Sequence, residues 1–79
     1  MKRFMICAGD HRQAETLAWL MKTPNSDWSY VFDSDRLLGL RGMTIIMWGT
    51  WKGRADINLI FATAQAMDMT ILYMNDGRG

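Results

Sequence analysis

Met43-Thr44-Ile45-Ile46-Met47-Trp48-Gly49-Thr50-Trp51-Lys52-Gly53-Arg54, continued by Ala55 to Met67 and Thr70 to Met74, carries the clearest fold signal in the chain. Met43 to Trp48 is a continuous apolar run ending at a glycine, the pattern of a strand buried on both faces. The turn after it holds two glycines, a hydroxyl, two cations and a tryptophan. From Ala55 the apolar residues Ile57, Ile60, Phe61 and Ala64 recur at helical spacing. Asp68 and Met69 then return the chain to a last strand, Thr70 to Met74. Strand, glycine turn, helix and strand make a βαβ unit, which presents backbone N–H groups to a ligand at its first turn.

Upstream, the same pattern recurs in looser form. Arg3 to Ala8 reads as a second fully buried strand that stops at Gly9. Asp10 is placed to cap a helix, and Gln13 three residues later completes a capping-box-like pair. That helix runs to about Lys22, with Ala14, Leu17, Ala18 and Met21 on its core face and Trp19 and Leu20 off it. Pro24 in Thr23-Pro24-Asn25-Ser26-Asp27 ends it. Trp28 to Phe32 alternates, with Trp28, Tyr30 and Phe32 on one face and Ser29 and Val31 on the other. After it, Ser34 or Asp35 is placed to cap a short helical turn through Leu40, closed by Arg41-Gly42.

The order β-α-β-(short α)-β-α-β predicts an α/β fold: a Rossmann-like sheet of about four mostly parallel strands in two or three layers, with two main helices. Strand order 2-1-3-4 puts the two most apolar strands side by side in the middle. The competing arrangement is α+β with an antiparallel second strand, since alternation suits an edge exposed on one face. Residues 1–74 are read as a single domain and residues 75–79, polar and glycine-rich, as a flexible tail.

Composition narrows the function. The 79 residues are 49% hydrophobic and 22% charged, which excludes a disordered chain. A net charge of +1 exerts no general pull on nucleic acid or anionic membrane. Cys7 is the single cysteine, so an internal disulfide and a cysteine-based metal site are both excluded. No apolar run approaches the ~20 residues of a membrane span, and the N-terminus has no signal-peptide pattern, so a cytoplasmic setting is expected. Four Trp and eight Met suit a core, an interaction surface, or both.

In a parallel sheet every strand ends at one carboxyl edge, where ligands bind. The candidate binding residues collected there are Gly9, Asp10, His11, Asp33, Gly49, Thr50, Trp51, Lys52 and Arg54. Helix N-termini and the two cations suit phosphate, and Trp51 suits stacking on a base; equally, Gly49 and Gly53 permit a turn and Trp51 packs on the surface. No catalytic set is complete: His11 has no nucleophile at a recognisable spacing, and the phosphate-loop ending Gly-Lys-Ser/Thr is missing. Asp33-Ser34-Asp35 lacks a third metal ligand and reads as a cap. Neither a metal nor a cofactor is expected. The second helix carries Leu59, Ala62, Ala66 and Met67 off its core stripe. Leu59, Ala62 and Ala66, with Trp19 and Leu20, are therefore candidate interface residues, and a homodimer through the second helix is one form of that interface.

Two resemblances run through these residues. Ile45 through Gly49, Trp51, Gly53, Arg54, Ala55 to Ala66 and Ile71-Leu72-Tyr73 resembles the strand, Gly-Trp turn, helix and strand of nucleoside deoxyribosyltransferase-like proteins. Arg3 to Asp10 is similar to the opening strand and glycine turn of related nucleotide-binding Rossmann-like families. That resemblance implies a nucleotide ligand. The transferases use a glutamate nucleophile near the start of this helix, where this chain has only Asp56, so catalysis does not carry over. Gln13-Ala14-Glu15, Trp28-Ser29-Tyr30-Val31, Leu38-Gly39-Leu40-Arg41-Gly42 and Gly49-Thr50-Trp51 followed by Arg54 and Asp56 resemble a pattern in small phage-encoded proteins. That second resemblance implies a non-catalytic accessory protein that acts in the host cytoplasm on a host protein complex, an inhibitor of host defence being one case.

Overall fold

The structure, a computed structural model, describes residues 3–74. The expected tail, 75–79, lies outside the described residues. Four strands, β1 (Phe4–Cys7), β2 (Trp28–Tyr30), β3 (Thr44–Met47) and β4 (Thr70–Tyr73), form one sheet in the order β2-β1-β3-β4. Every neighbouring pair is parallel, β2 included, so the antiparallel alternative for that strand does not hold. The register places Phe4 beside both Trp28 and Thr44, and Thr44 beside Thr70.

Alternation along the two central strands builds a separate core on each face. Met5 and Cys7 of β1, with Ile45 and Met47 of β3, pack under Ile60 and Ala64 of α2 (Ile57–Ala66). Val31, Leu37 and Met69 complete that core. Ile6, Ala8 and Ile46 turn the other way and pack under Ala14, Leu17 and Ala18 of α1 (His11–Leu20), together with Trp28 and Tyr30. The helices therefore cover opposite faces, giving three layers. Ile6, Cys7, Ile45 and Met47 are fully buried, which is why β1 and β3 read as unbroken apolar runs. Burying each of the Ile and Met side chains contributes about 1.5–3 kcal/mol.

Several boundaries differ from the sequence reading. Helix α1 stops at Leu20 with Met21 as its C-cap, and Lys22 takes a positive φ of 56° to turn the chain. Met21 is consequently 36% exposed and outside the core. The turn after β2 is a 3₁₀ segment, Ser34–Leu37, and Asp33 holds the cap position without a side-chain bond. Ser34, expected as a cap, is instead buried beside Leu37. Helix α2 begins at Ile57, after a 3₁₀ turn at Trp51–Gly53.

Candidate functional site

The carboxyl ends of β1, β2 and β3 meet at one edge, and two side chains tie that edge together. The first is Gln13. Asp10 caps α1 by accepting from Gln13 N at 2.9 Å, which brings the Gln13 side chain over the β1 and β3 turns. Its Oε1 accepts from Gly9 N and Thr50 N, both at 2.9 Å, and Nε2 donates to Thr50 Oγ1 at 3.0 Å. The expected capping box forms only in part, because this side chain reaches across to the next turn instead of back to Asp10 N. The approach is close enough to require glycine twice. A Cβ on Gly9 would overlap Thr50 Oγ1. One on Gly49 would overlap Gln13 Oε1, and Gly49 also takes a φ of +64°.

The second tie is Arg54, whose side chain is 9% exposed. Nη1 donates to Val31 O at 2.6 Å and Ala8 O at 3.2 Å, and Nη2 donates to Phe32 O at 2.9 Å. Nε and Nη2 grip the two Asp56 oxygens at 3.0 and 3.1 Å. All five guanidinium donors thus have acceptors inside the protein. Burial, the largest single influence, lowers the Arg54 pKa; the hydrogen bonds to Asp56 and the charges of Cys7, Tyr30 and Asp56 together outweigh it and hold the group above its ordinary value. Asp56 is the N-cap of α2 yet makes no side-chain cap bond, because its carboxylate is turned to Arg54. Cys7 lies beneath this cluster, and burial pushes its thiol up to about 11. Burial likewise raises Tyr30, whose hydroxyl donates to Ala8 O at 3.4 Å.

The other candidate residues divide between packing and open surface. Trp51 is not free to stack on a base from both sides. Its ring meets Phe61 edge-on at 5.6 Å and Tyr73 at 5.6 Å, closing the α2 core, and Lys52 Nζ lies 5.6 Å from the same ring. Asp10 and Asp33 are exposed at their turns. His11, the first residue of α1, stacks on Phe32 at 5.7 Å and meets Tyr30 edge-on at 5.3 Å. It also pairs with Glu15 at 3.1 Å. Among the described residues no group of three His, Cys, Asp or Glu side chains could hold a metal ion.

The candidate interface residues do not form one patch. Trp19, 77% exposed, and Leu20 lie on α1, whereas exposed Leu59, Ala62 and Ala66 lie on α2 across the sheet. On the α1 face, Leu72 of β4 is exposed as well, and a cleft of about 590 Å³ runs between it, Phe4 and Met21.

The Gln13 clamp and the aromatic cleft outside it are not among the features expected at this edge from sequence. That cleft, about 510 Å³, is lined by His11, Glu15, Trp28, Tyr30, Phe32 and Arg36 among others. A usable signal was present. With β1 and β2 adjacent, the first turn of α1 must face the carboxyl end of β2, so His11 had to meet the Trp28-Tyr30-Phe32 face.

Fold and edge together define a small Rossmann-like parallel α/β domain. No protein-family model, curated protein or solved structure matches the chain. Among the described residues no helix is long and apolar enough to cross a membrane.

Proposed function

We propose that this protein is a non-catalytic binding protein that works by docking on a larger protein complex. The observation that carries this reading is the closure of the sheet's carboxyl edge. Gly9 N and Thr50 N, the groups a phosphate would seek, donate to Gln13, and every Arg54 donor has an internal acceptor. Asp56 sits where the deoxyribosyltransferase-like pattern has its nucleophile, and it is held by Arg54 at 3.0 and 3.1 Å. Meanwhile Trp19, of a residue type enriched in protein interfaces, stands exposed on α1 with Leu20 beside it, and Leu72 is exposed on the same side of the sheet. The resemblance to phage-encoded accessory proteins makes the partner a host protein complex in the host cytoplasm, with inhibition of host defence as the specific form.

Affinity capture from host lysate with the wild-type chain and a Trp19→Ser, Leu20→Ser variant tests this reading. A complex enriched by the first and lost by the second supports it. Equal recovery by both removes the α1 face from the proposal.

A nucleotide-binding module is the second reading, and the aromatic cleft beside the edge favours it, because Phe32 and His11 offer stacking surface next to Arg36. Thermal denaturation with millimolar nucleotides and nucleosides decides it: a rise in Tm that is lost in Phe32→Ala supports binding, and no rise with any of them rejects it.

A further inference from the structure

The β2 side of the molecule has a shape that the carboxyl-edge reading does not use. Strand β2 ends the sheet order, so one of its edges has no strand beside it. Arg3 N donates to Asp27 O and Val31 N donates to Ile6 O, so the Asp27 carbonyl, the Ser29 backbone groups and the Val31 N–H face inward to β1. The same ladder turns the N–H and C=O of Trp28 and Tyr30 outward. The Tyr30 carbonyl accepts from Phe32 N at 3.2 Å and keeps a second lone pair.

The cleft of about 510 Å³ lies along this edge and reaches both faces of the sheet. Met5 and Leu40, from the α2 core, line it together with Trp28 and Tyr30, from the α1 core. A pocket for a flat ligand alone has no need to wrap an edge; an added strand does, because its side chains alternate between the faces. At its lip the Arg36 guanidinium lies 5.3 Å from the centre of the Phe32 ring. Among the described residues Arg36 pairs with no carboxylate, and Phe32 is 54% exposed.

We propose that the β2 edge takes an extended peptide segment of a partner protein as a fifth strand, with an acidic side chain on Arg36 and an apolar one, two positions away, on Phe32. Positions two apart in a strand share a face about 6.5–7 Å apart, which matches neighbouring cation and ring. The charge of Arg36 selects the acidic residue, and the outward groups of Trp28 and Tyr30 supply affinity that is independent of sequence. This rests on the protein-binding reading above but uses a different surface from Trp19 and Leu20.

The probe is a fluorescein-labelled hexapeptide of alternating Thr and Val that carries Glu and Phe two positions apart, with a Lys-for-Glu counterpart. Anisotropy is expected to show the Glu peptide binding about tenfold or more tightly than the Lys peptide, and Arg36→Glu to reverse that order. Amide exchange at Trp28 and Tyr30 is expected to slow when the Glu peptide is bound. Saturation without that protection, or no binding of either peptide at millimolar concentration, overturns the proposal. Arg36-dependent binding of adenosine monophosphate with no peptide binding also overturns it and makes the cleft a small-molecule site. Capture through Trp19 and Leu20 is read separately, so loss of this edge does not imply loss of the wider function.

Discussion

Arg54 Nη1 donates to Val31 O at 2.6 Å, joining the turn after β3 to the end of β2 across β1. This contact, with those to Ala8 O and Phe32 O, makes Arg54 a tie for strand ends rather than a hand held out to a ligand.

Arg54→Met is therefore expected to destabilise the protein by about 3 kcal/mol, since it leaves Asp56 and the carbonyls of Val31 and Phe32 without their donor, Ala8 O keeping only the Tyr30 hydroxyl. Asp56→Ala should cost less, about 1 kcal/mol, because Asp56 is a third exposed and the carbonyls still hold Arg54. Urea denaturation of both variants checks the order. Equal losses would mean that the ion pair, not the carbonyl contacts, carries the tie.

Gln13 makes a complementary prediction at the other tie. Gln13→Ala should cost about 1–2 kcal/mol by leaving Gly9 N and Thr50 N without their acceptor. Gln13→Glu should fold nearly as well as wild type, because a carboxylate accepts from the same two N–H groups and the Thr50 hydroxyl is free to rotate and donate. Gly49→Ala should cost more than about 1 kcal/mol from its left-handed backbone alone. Part of that loss should disappear in the Gly49→Ala, Gln13→Ala double variant, where the overlap is relieved.

The raised Cys7 pKa sets a pH window. Cys7 has an ordinary value of 9.0 and is pushed to about 11 by burial, so the unfolded chain loses this proton first. Stability is fully present below pH 9 and falls as pH rises towards 11. Tyr30, also raised, adds to the loss at the upper end. Cys7→Ala should flatten the lower part of the decline in a series of denaturation curves, and an unchanged slope would remove Cys7 as its cause.

The α1 surface should behave unlike its core. Leu17→Ala, at a residue 2% exposed, should cost about 2–5 kcal/mol. Trp19→Ser should stay within about 0.5 kcal/mol of wild type while impairing partner capture. A large loss from Trp19→Ser would show that this ring supports the fold and is no free anchor.

Much of the architecture is legible in the sequence. Met43 to Trp48 and Arg3 to Ala8 are apolar without alternation, and only strands covered on both faces tolerate that. Placing them side by side leads directly to the order 2-1-3-4. Strand Trp28–Tyr30 was ambiguous because alternation reports a strand's faces, not its direction. The candidate site was legible as an edge but not as a set of contacts. Gly9, His11, Gly49 and Arg54 do come to that edge, yet nothing local distinguishes an arginine aimed at solvent from one turned inward to Val31 and Phe32.

The strands, most of each helix's core face and the turn glycines follow from the order of residues alone, because periodicity and backbone conformation are properties of short segments. What the turn from Gly49 to Arg54 does depends on contacts between distant segments. Gln13 reaches Thr50 and Arg54 reaches Val31 across long separations in the chain. Hydrogen-bond partners at such distances depend on how the layers sit, and a buried guanidinium takes whichever acceptors the fold brings within reach.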